Sequence, residues 1–136
     1  QAVFQDITDQ KTIEAALDKE RFFLDTLLDY SPDGIYFKDT KSRFIRVSRG
    51  LARNFNFATA ADLIGKSDAD FFPKEFADQT HADEDQIVAT GQPILAKIEK
   101  SEAKDGSEAW SSTTKMPLRA EISAAMLAGA MSPFIS

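Results

Sequence analysis

The chain has 136 residues, 43% of them hydrophobic and 11 of them Phe, which is enough for one domain with a real core and a short extension. A formal charge of −6 argues against nonspecific nucleic-acid binding, which needs a basic surface to neutralise phosphates. The lack of cysteine excludes disulfides, thiolate metal sites, cysteine nucleophiles and a cysteinyl chromophore.

In chain order, Ala2-Val3-Phe4 is a short apolar piece. Thr8 or Asp9 can then cap a helix over Asp9 to Asp29, because a side-chain oxygen there accepts a free N–H of the first turn. Ile13, Leu17, Leu24 and Leu27 or Leu28 fall on one stripe near a seven-residue repeat, interrupted by Glu20. Such a stripe either packs on its own domain or forms a dimer seam. Glu14, Asp18, Asp25, Lys11, Lys19 and Arg21 read as a solvated helix surface.

Ser31-Pro32-Asp33-Gly34 ends the helix, since Pro32 has no N–H to donate. Gly34 to Lys38 reads as a strand, Asp39 to Ser42 as a turn and Arg43 to Ser48 as a second strand. From Arg49 the pattern is short and helical with breaks at Gly65 and Pro73, and the aromatics of Asp70-Phe71-Phe72-Pro73 plug the core. Lys74 to Ala89 is a longer helix with Phe76, Ala77, Ile87 and Val88 as its apolar positions; Gly91 ends it and Pro93 prevents its resumption. Ile94 to Glu102 and Glu108 to Leu118 flank Asp105-Gly106, a hairpin signal. The closing stretch is rich in Ala, Met and Leu, which favours helix, yet Met126 to Ser132 suits a last strand where sheet context overrides propensity. Strand, helix and swapped tail all stay open there.

Asp83, Glu84 and Asp85 are consecutive on the predicted helix, so they fan outward as a solvated face rather than converge on magnesium or calcium. His81 is the single histidine and its neighbours are polar, so it reads as exposed. No Ser-His-Asp set is evident, and Gly65 and Gly106 are too isolated to form a phosphate loop. The chain is not expected to be an enzyme. Phe37, Phe44, Phe55, Phe71, Phe72 and Phe76 supply apolar filling. Along the second hairpin strand, Trp110, Ser112, Thr114 and Met116 share one face and Ser111, Thr113 and Lys115 the other. Hydrophobicity alone turns Trp110 and Met116 inward. A turn centred at Asp105-Gly106 sets Glu99 opposite Thr113 and diagonal to Lys115.

The run from Ser31-Pro32-Asp33-Gly34-Ile35-Tyr36-Phe37-Lys38-Asp39 through Arg43-Phe44-Ile45-Arg46-Val47, Leu63-Ile64-Gly65-Lys66 and Asp68-Ala69-Asp70-Phe71-Phe72-Pro73 continues to Thr90-Gly91-Gln92-Pro93, Lys104-Asp105-Gly106 and Trp110 to Arg119. In this order and at this spacing it resembles a PAS domain of the sensory type found in bacterial histidine kinases and diguanylate cyclases. The resemblance implies an α+β fold: an antiparallel sheet of about five strands, short helices on one face and an N-terminal linker helix. It divides the chain into residues 1–8, similar to the Asp-Ile-Thr tail of a preceding PAS domain; 9–29, a linker and dimerisation helix carrying Ile13, Leu17, Leu24, Leu27 and Leu28; 30–119, the core; and 120–136, an atypical end with Phe134 where the family has Asp.

In ligand-binding members, the residues two, four and six before the hairpin's final proline face the pocket, here Lys115, Thr113 and Ser111. That reverses the hydrophobicity reading and sends Trp110 and Met116 to the outer face. Glu99 and Lys115 are then expected inside with Lys38 as a third member, either as a structural ion pair, as side chains snorkelling to water or as the wall of a small-ligand pocket. Haem-binding members carry their axial histidine on the long helix, but the polar surroundings of His81 disfavour haem. The photoactive flavin members use an Asn-Cys-Arg-Phe motif absent here, so no cofactor is expected. The implied function is a cytoplasmic sensory and dimerisation module of a bacterial signalling protein. Its partners would be a second copy, adjacent PAS and effector domains and a small ligand, with no nucleic acid and no direct membrane contact. The alternative is a ligand-free PAS spacer that dimerises and relays motion. An enzyme acting on a small acid through Glu99 and Lys115 is the remotest class.

Overall fold

A computed structural model describes residues 2–102, 106–118 and 126–133. It opens with helix α1 (Ala2–Tyr30), which runs on through Thr8 and Asp9, so the helix starts earlier than a cap at those residues would place it. Thr12 Oγ1 donates back to the Thr8 carbonyl at 2.9 Å, as a residue inside a helix does. The chain then forms β1 (Gly34–Lys38), β2 (Phe44–Val47) and α2 (Arg49–Asn54). Two 3-10 turns follow at Ala60–Leu63 and Asp68–Asp70, then α3 (Lys74–Thr90), β3 (Ile94–Glu102), β4 (Glu108–Leu118) and β5 (Met126–Pro133).

The five strands form one antiparallel sheet in the order β2-β1-β5-β4-β3. The Ala/Met/Leu stretch therefore becomes a strand. It lies between β1 and β4 and receives ladder bonds from both, which outweighs its helix propensity. Ser48 anchors the first hairpin: its buried hydroxyl accepts from Ile35 N at 2.9 Å and Leu51 N at 3.2 Å, and donates to Asp33 O at 3.1 Å. One side chain thus ties β1 to the N-terminus of α2. Gly91 closes α3 in the left-handed conformation, φ 70°, with its N–H on Ile87 O at 2.8 Å.

Tyr36, Phe44, Val47, Leu51, Ala52, Leu63 and Ile87 make the core, with Phe55, Phe57 and Phe71 packed against it. Ring contacts continue from Phe55 to Phe72, centroids 5.3 Å apart, and on to Phe76 at 4.6 Å. Phe37 does not join them. Strand alternation gives the inner positions of β1 to Tyr36 and Lys38 and leaves Phe37 half-buried on the opposite face. On α3 the inner positions are Ala77, Thr80, Asp83, Glu84 and Ile87, while Val88 is exposed.

Two features of the β3–β4 hairpin set the site. Glu99 lies opposite Ser111, and Lys97 opposite Thr113, so the pairing is two residues away from the expected one of Glu99 with Thr113. Gly106 is in the left-handed region at φ 88°; Asp105 lies outside the described residues, as do Arg119 to Ala125 and Phe134-Ile135-Ser136. A bulge interrupts β3 between Ile94 and Lys97, with Ala96 at φ 50°. Ile94 opposes Lys115, so the extra residue lets Ile94, Lys97 and Glu99 all share the inner face. Among the described residues no helix is long and apolar enough to cross a membrane.

Candidate ligand-binding site

Four elements deliver charges to one place. β1 sends in Lys38, β4 sends in Lys115, the bulged β3 sends in Lys97 and Glu99, and α3 supplies Asp83 and Glu84; the second 3-10 turn adds Asp68. Lys38 is 1% exposed and Lys115 2%. Lys38 Nζ donates to Asp68 Oδ2 and Glu84 Oε1, both at 2.5 Å, and lies 4.8 Å from the Phe44 ring centroid and 5.2 Å from that of Tyr36. Lys97 Nζ donates to Asp83 Oδ2 at 2.7 Å. Lys115 Nζ is held more loosely, 3.3 Å from Glu99 Oε1 and 3.8 Å from Asp83 Oδ2.

Burial would depress the Lys38 ammonium, but the adjacent Asp68 and Glu84 carboxylates reverse this and raise its pKa above 10.5. Asp83 shows the opposite case. Burial pushes its pKa up, and the hydrogen bond from Lys97, the charge of Lys115 and the Gln79 amide bring it below 3.8. The Tyr36 phenol is raised well above 10.0 by burial first, then by Glu84 and Asp68. Lys38 is thus held as an ammonium, Asp83 as a carboxylate and Tyr36 as a neutral phenol.

Between these charges and the aromatic core is a cavity of about 20 Å³, lined by Tyr36, Lys38, Phe44, Leu51, Phe55, Asp68, Phe72, Phe76, Thr80, Glu99 and Lys115. Of the residues expected in the pocket, Lys38, Glu99 and Lys115 line it. Ser111 and Thr113 are buried on the same strand face without lining it. Trp110 and Met116 lie on the outer face, 46% and 41% exposed. Lys38 does not pair with Glu99 but takes its own two acids.

The acidic face of α3 is a correction. Asp83 and Glu84 are buried, and only Asp85 lies in solvent, because α3 packs on the sheet along Ala77, Thr80, Asp83/Glu84 and Ile87. That three-and-four spacing is readable in the sequence, with polar residues occupying the middle of an inward stripe. Nothing in the sequence separates Asp68 from Asp70.

The fold also brings a serine, a histidine and an aspartate together, which the sequence did not reveal. Ser42 Oγ is hydrogen-bonded to His81 Nδ1 at 2.9 Å, and His81 Nε2 is 3.4 Å from Asp85 Oδ2. The amides beside this serine, those of Lys41, Ser42 and Arg43, are all committed to Asp39 and cannot serve as oxyanion donors. The set ties the β1–β2 turn to α3, and His81 itself is exposed, as its polar neighbours imply.

On α1, Leu28 is buried in the domain, Leu24 is half-buried, and Ile13, Leu17 and Leu27 are exposed. Asp25 pairs with Arg46, and Asp29 with Arg49 at 3.6 Å, so the last turns of the helix are tied to β2 and α2.

The family model described as PAS fold matches residues 28–129. The methanogenesis regulatory histidine kinase FilI of Methanothrix harundinacea is 31% identical over 104 residues, which is 76% of this chain but 11% of that protein. The chain thus spans about a tenth of the curated relative it matches. Among solved structures, the Vibrio cholerae VqmA dimer superposes with a TM-score of 0.70 at 18% identity, covering 81% of this chain and 49% of that one. The PAS domain of a Colwellia psychrerythraea protein gives 0.68 at 17% identity, over 87% and 97%. With its five-stranded sheet, its helices on the inner face and a family match over three quarters of its length, the chain belongs to the PAS family.

Proposed function

We propose that this domain is the sensory module of a signal-transduction protein, and that it binds a small ligand in the cavity between Lys38, Glu99 and Lys115. The observation that carries the reading is the pair of buried ammonium groups on the cavity wall, one of them loosely held. Charges are expensive to bury, and a core built for stability alone does as well with hydrocarbon. Membership of the PAS family and the kinase relative support a role in signalling. A ligand that favours one packing of the sheet over another shifts a population, and α1 carries the shift outward. Its exposed Ile13, Leu17 and Leu27 suit a seam with a second copy, and the relative VqmA is a dimer. An effector, a preceding PAS domain ending near residue 8 and a cytoplasmic setting complete the reading.

A ligand-free spacer is the second reading. The size of the cavity favours it: about 20 Å³ is close to the roughly 10–15 Å³ that one water needs. Native mass spectrometry of the purified chain, repeated after denaturation, separates the two. The expected result is a dimer carrying extra mass that is lost on unfolding. A dimer of bare chain mass overturns the ligand and leaves the spacer. A monomer overturns the α1 seam.

A further inference from the structure

The inference that follows rests on the ligand reading above. The geometry points to an uncharged ligand of a few non-hydrogen atoms that presents an oxygen acceptor, a carbonyl or hydroxyl, to Lys115 Nζ. The first argument is the charge count around the cavity. Lys38, Lys97 and Lys115 face Asp68, Asp83, Glu84 and Glu99, three positive charges against four negative. A ligand anion would be a fifth negative charge in a region that already has too few counter-charges. A ligand cation would meet the Lys38 and Lys115 ammonium heads on the cavity wall, where Asp68 is already taken by Lys38 and Glu99 is shared by Lys97 and Lys115. A neutral ligand escapes both costs.

The second argument is the donor inventory. An ammonium has three N–H donors. Lys38 spends two of them on carboxylates at 2.5 Å and lies over two aromatic rings. Lys115 is as deeply buried, yet its nearest carboxylate oxygen is 3.3 Å away and the next 3.8 Å. Two residues along the same strand face, the buried Thr113 Oγ1 has no hydrogen-bond partner among the described residues. Of these two, Lys115 lines the cavity, and its loosely used ammonium marks the place where an acceptor belongs. The aromatic lining residues Phe44, Phe55, Phe72 and Phe76 take the apolar part of the molecule. The small cavity limits that part to about the size of a methyl group.

Acetamide, acetate and acetamidinium test this directly, since they share one shape and differ in charge. Each is titrated into the 136-residue chain at neutral pH and constant ionic strength, and amide resonances are followed by NMR. The expected result is saturable shifts around Thr113 and Lys115 with acetamide, and binding weaker by about tenfold or more for both charged probes. Glu99→Gln, which removes one carboxylate of the excess, should narrow the gap between acetamide and acetate. Lys115→Met should abolish the acetamide shifts; Lys115→Gln, a shorter polar replacement, provides a second reading if the methionine variant does not fold, and should weaken acetamide. Equal or tighter binding of acetate or acetamidinium overturns the neutral-ligand inference and leaves the ligand-binding function standing. Silence from all three probes, up to the solubility of each, overturns both.

Discussion

At the scale of single residues, the interior of this domain is governed by which charges have partners. Lys38 is the clearest case, because both Asp68 and Glu84 depend on it. Lys38→Met should cost about 3–5 kcal/mol in urea denaturation, the usual penalty for stranding a buried counter-charge. The double variant Lys38→Met/Glu84→Leu should recover part of that loss, since it removes a stranded carboxylate as well. Strand alternation put Ser111, Thr113 and Lys115 on one face, because the side-chain period of a strand is strictly two, but it took the family resemblance to turn that face and Lys38 inward. The acids of α3 were less legible. A run of three carboxylates looks solvated until the Ala77–Thr80–Asp83–Ile87 spacing is weighed against it. Even then only the sheet's lysines explain why carboxylates are tolerated there.

At the scale of elements, β5 shows how a neighbour can choose a residue. The ladder sets Gly129 beside Tyr36, and a β-carbon at that position would overlap the Tyr36 ring. Gly129→Ala should therefore destabilise by about 1–3 kcal/mol in thermal denaturation, the range for overfilling a packed interior. Tyr36→Leu in the same chain should relieve most of the added strain. The order of strands and helices was legible because Pro32, Gly91, Pro93 and the Asp105-Gly106 turn punctuate the chain. The hairpin pairing was not, because the loop is longer than the two-residue turn that Asp-Gly suggests. An error of two residues still keeps every side chain on its proper face, whereas an error of one would have reversed them all.

At the scale of the whole molecule, the buried ion pairs set the pH range of the fold. Folded Asp83 titrates below its ordinary 3.8, so its contribution is complete above that value and is lost as pH falls through the lowered pKa. Folded Lys38 titrates above 10.5 and folded Tyr36 above 10.0, so their contributions are complete below those values and are lost as pH rises past them. The midpoint of urea denaturation should thus be flat through neutrality and fall at both ends, and Asp83→Asn should flatten the acid limb far more than the alkaline one, to which Asp83 adds only a minor push on Tyr36. The bulge in β3 has a consequence for the domain as a lineage rather than as a single molecule. With the extra residue at Ala96, the strand turns Lys97 and Glu99 to the inner face of the sheet. With the extra residue moved past Glu99, the same letters would turn Ala96 and Ile98 inward and release both charges to solvent. A charged inner face of β3 and an apolar one are thus one insertion point apart, and the lining of the interior can diverge by where a residue is gained or lost, with no substitution at the site itself.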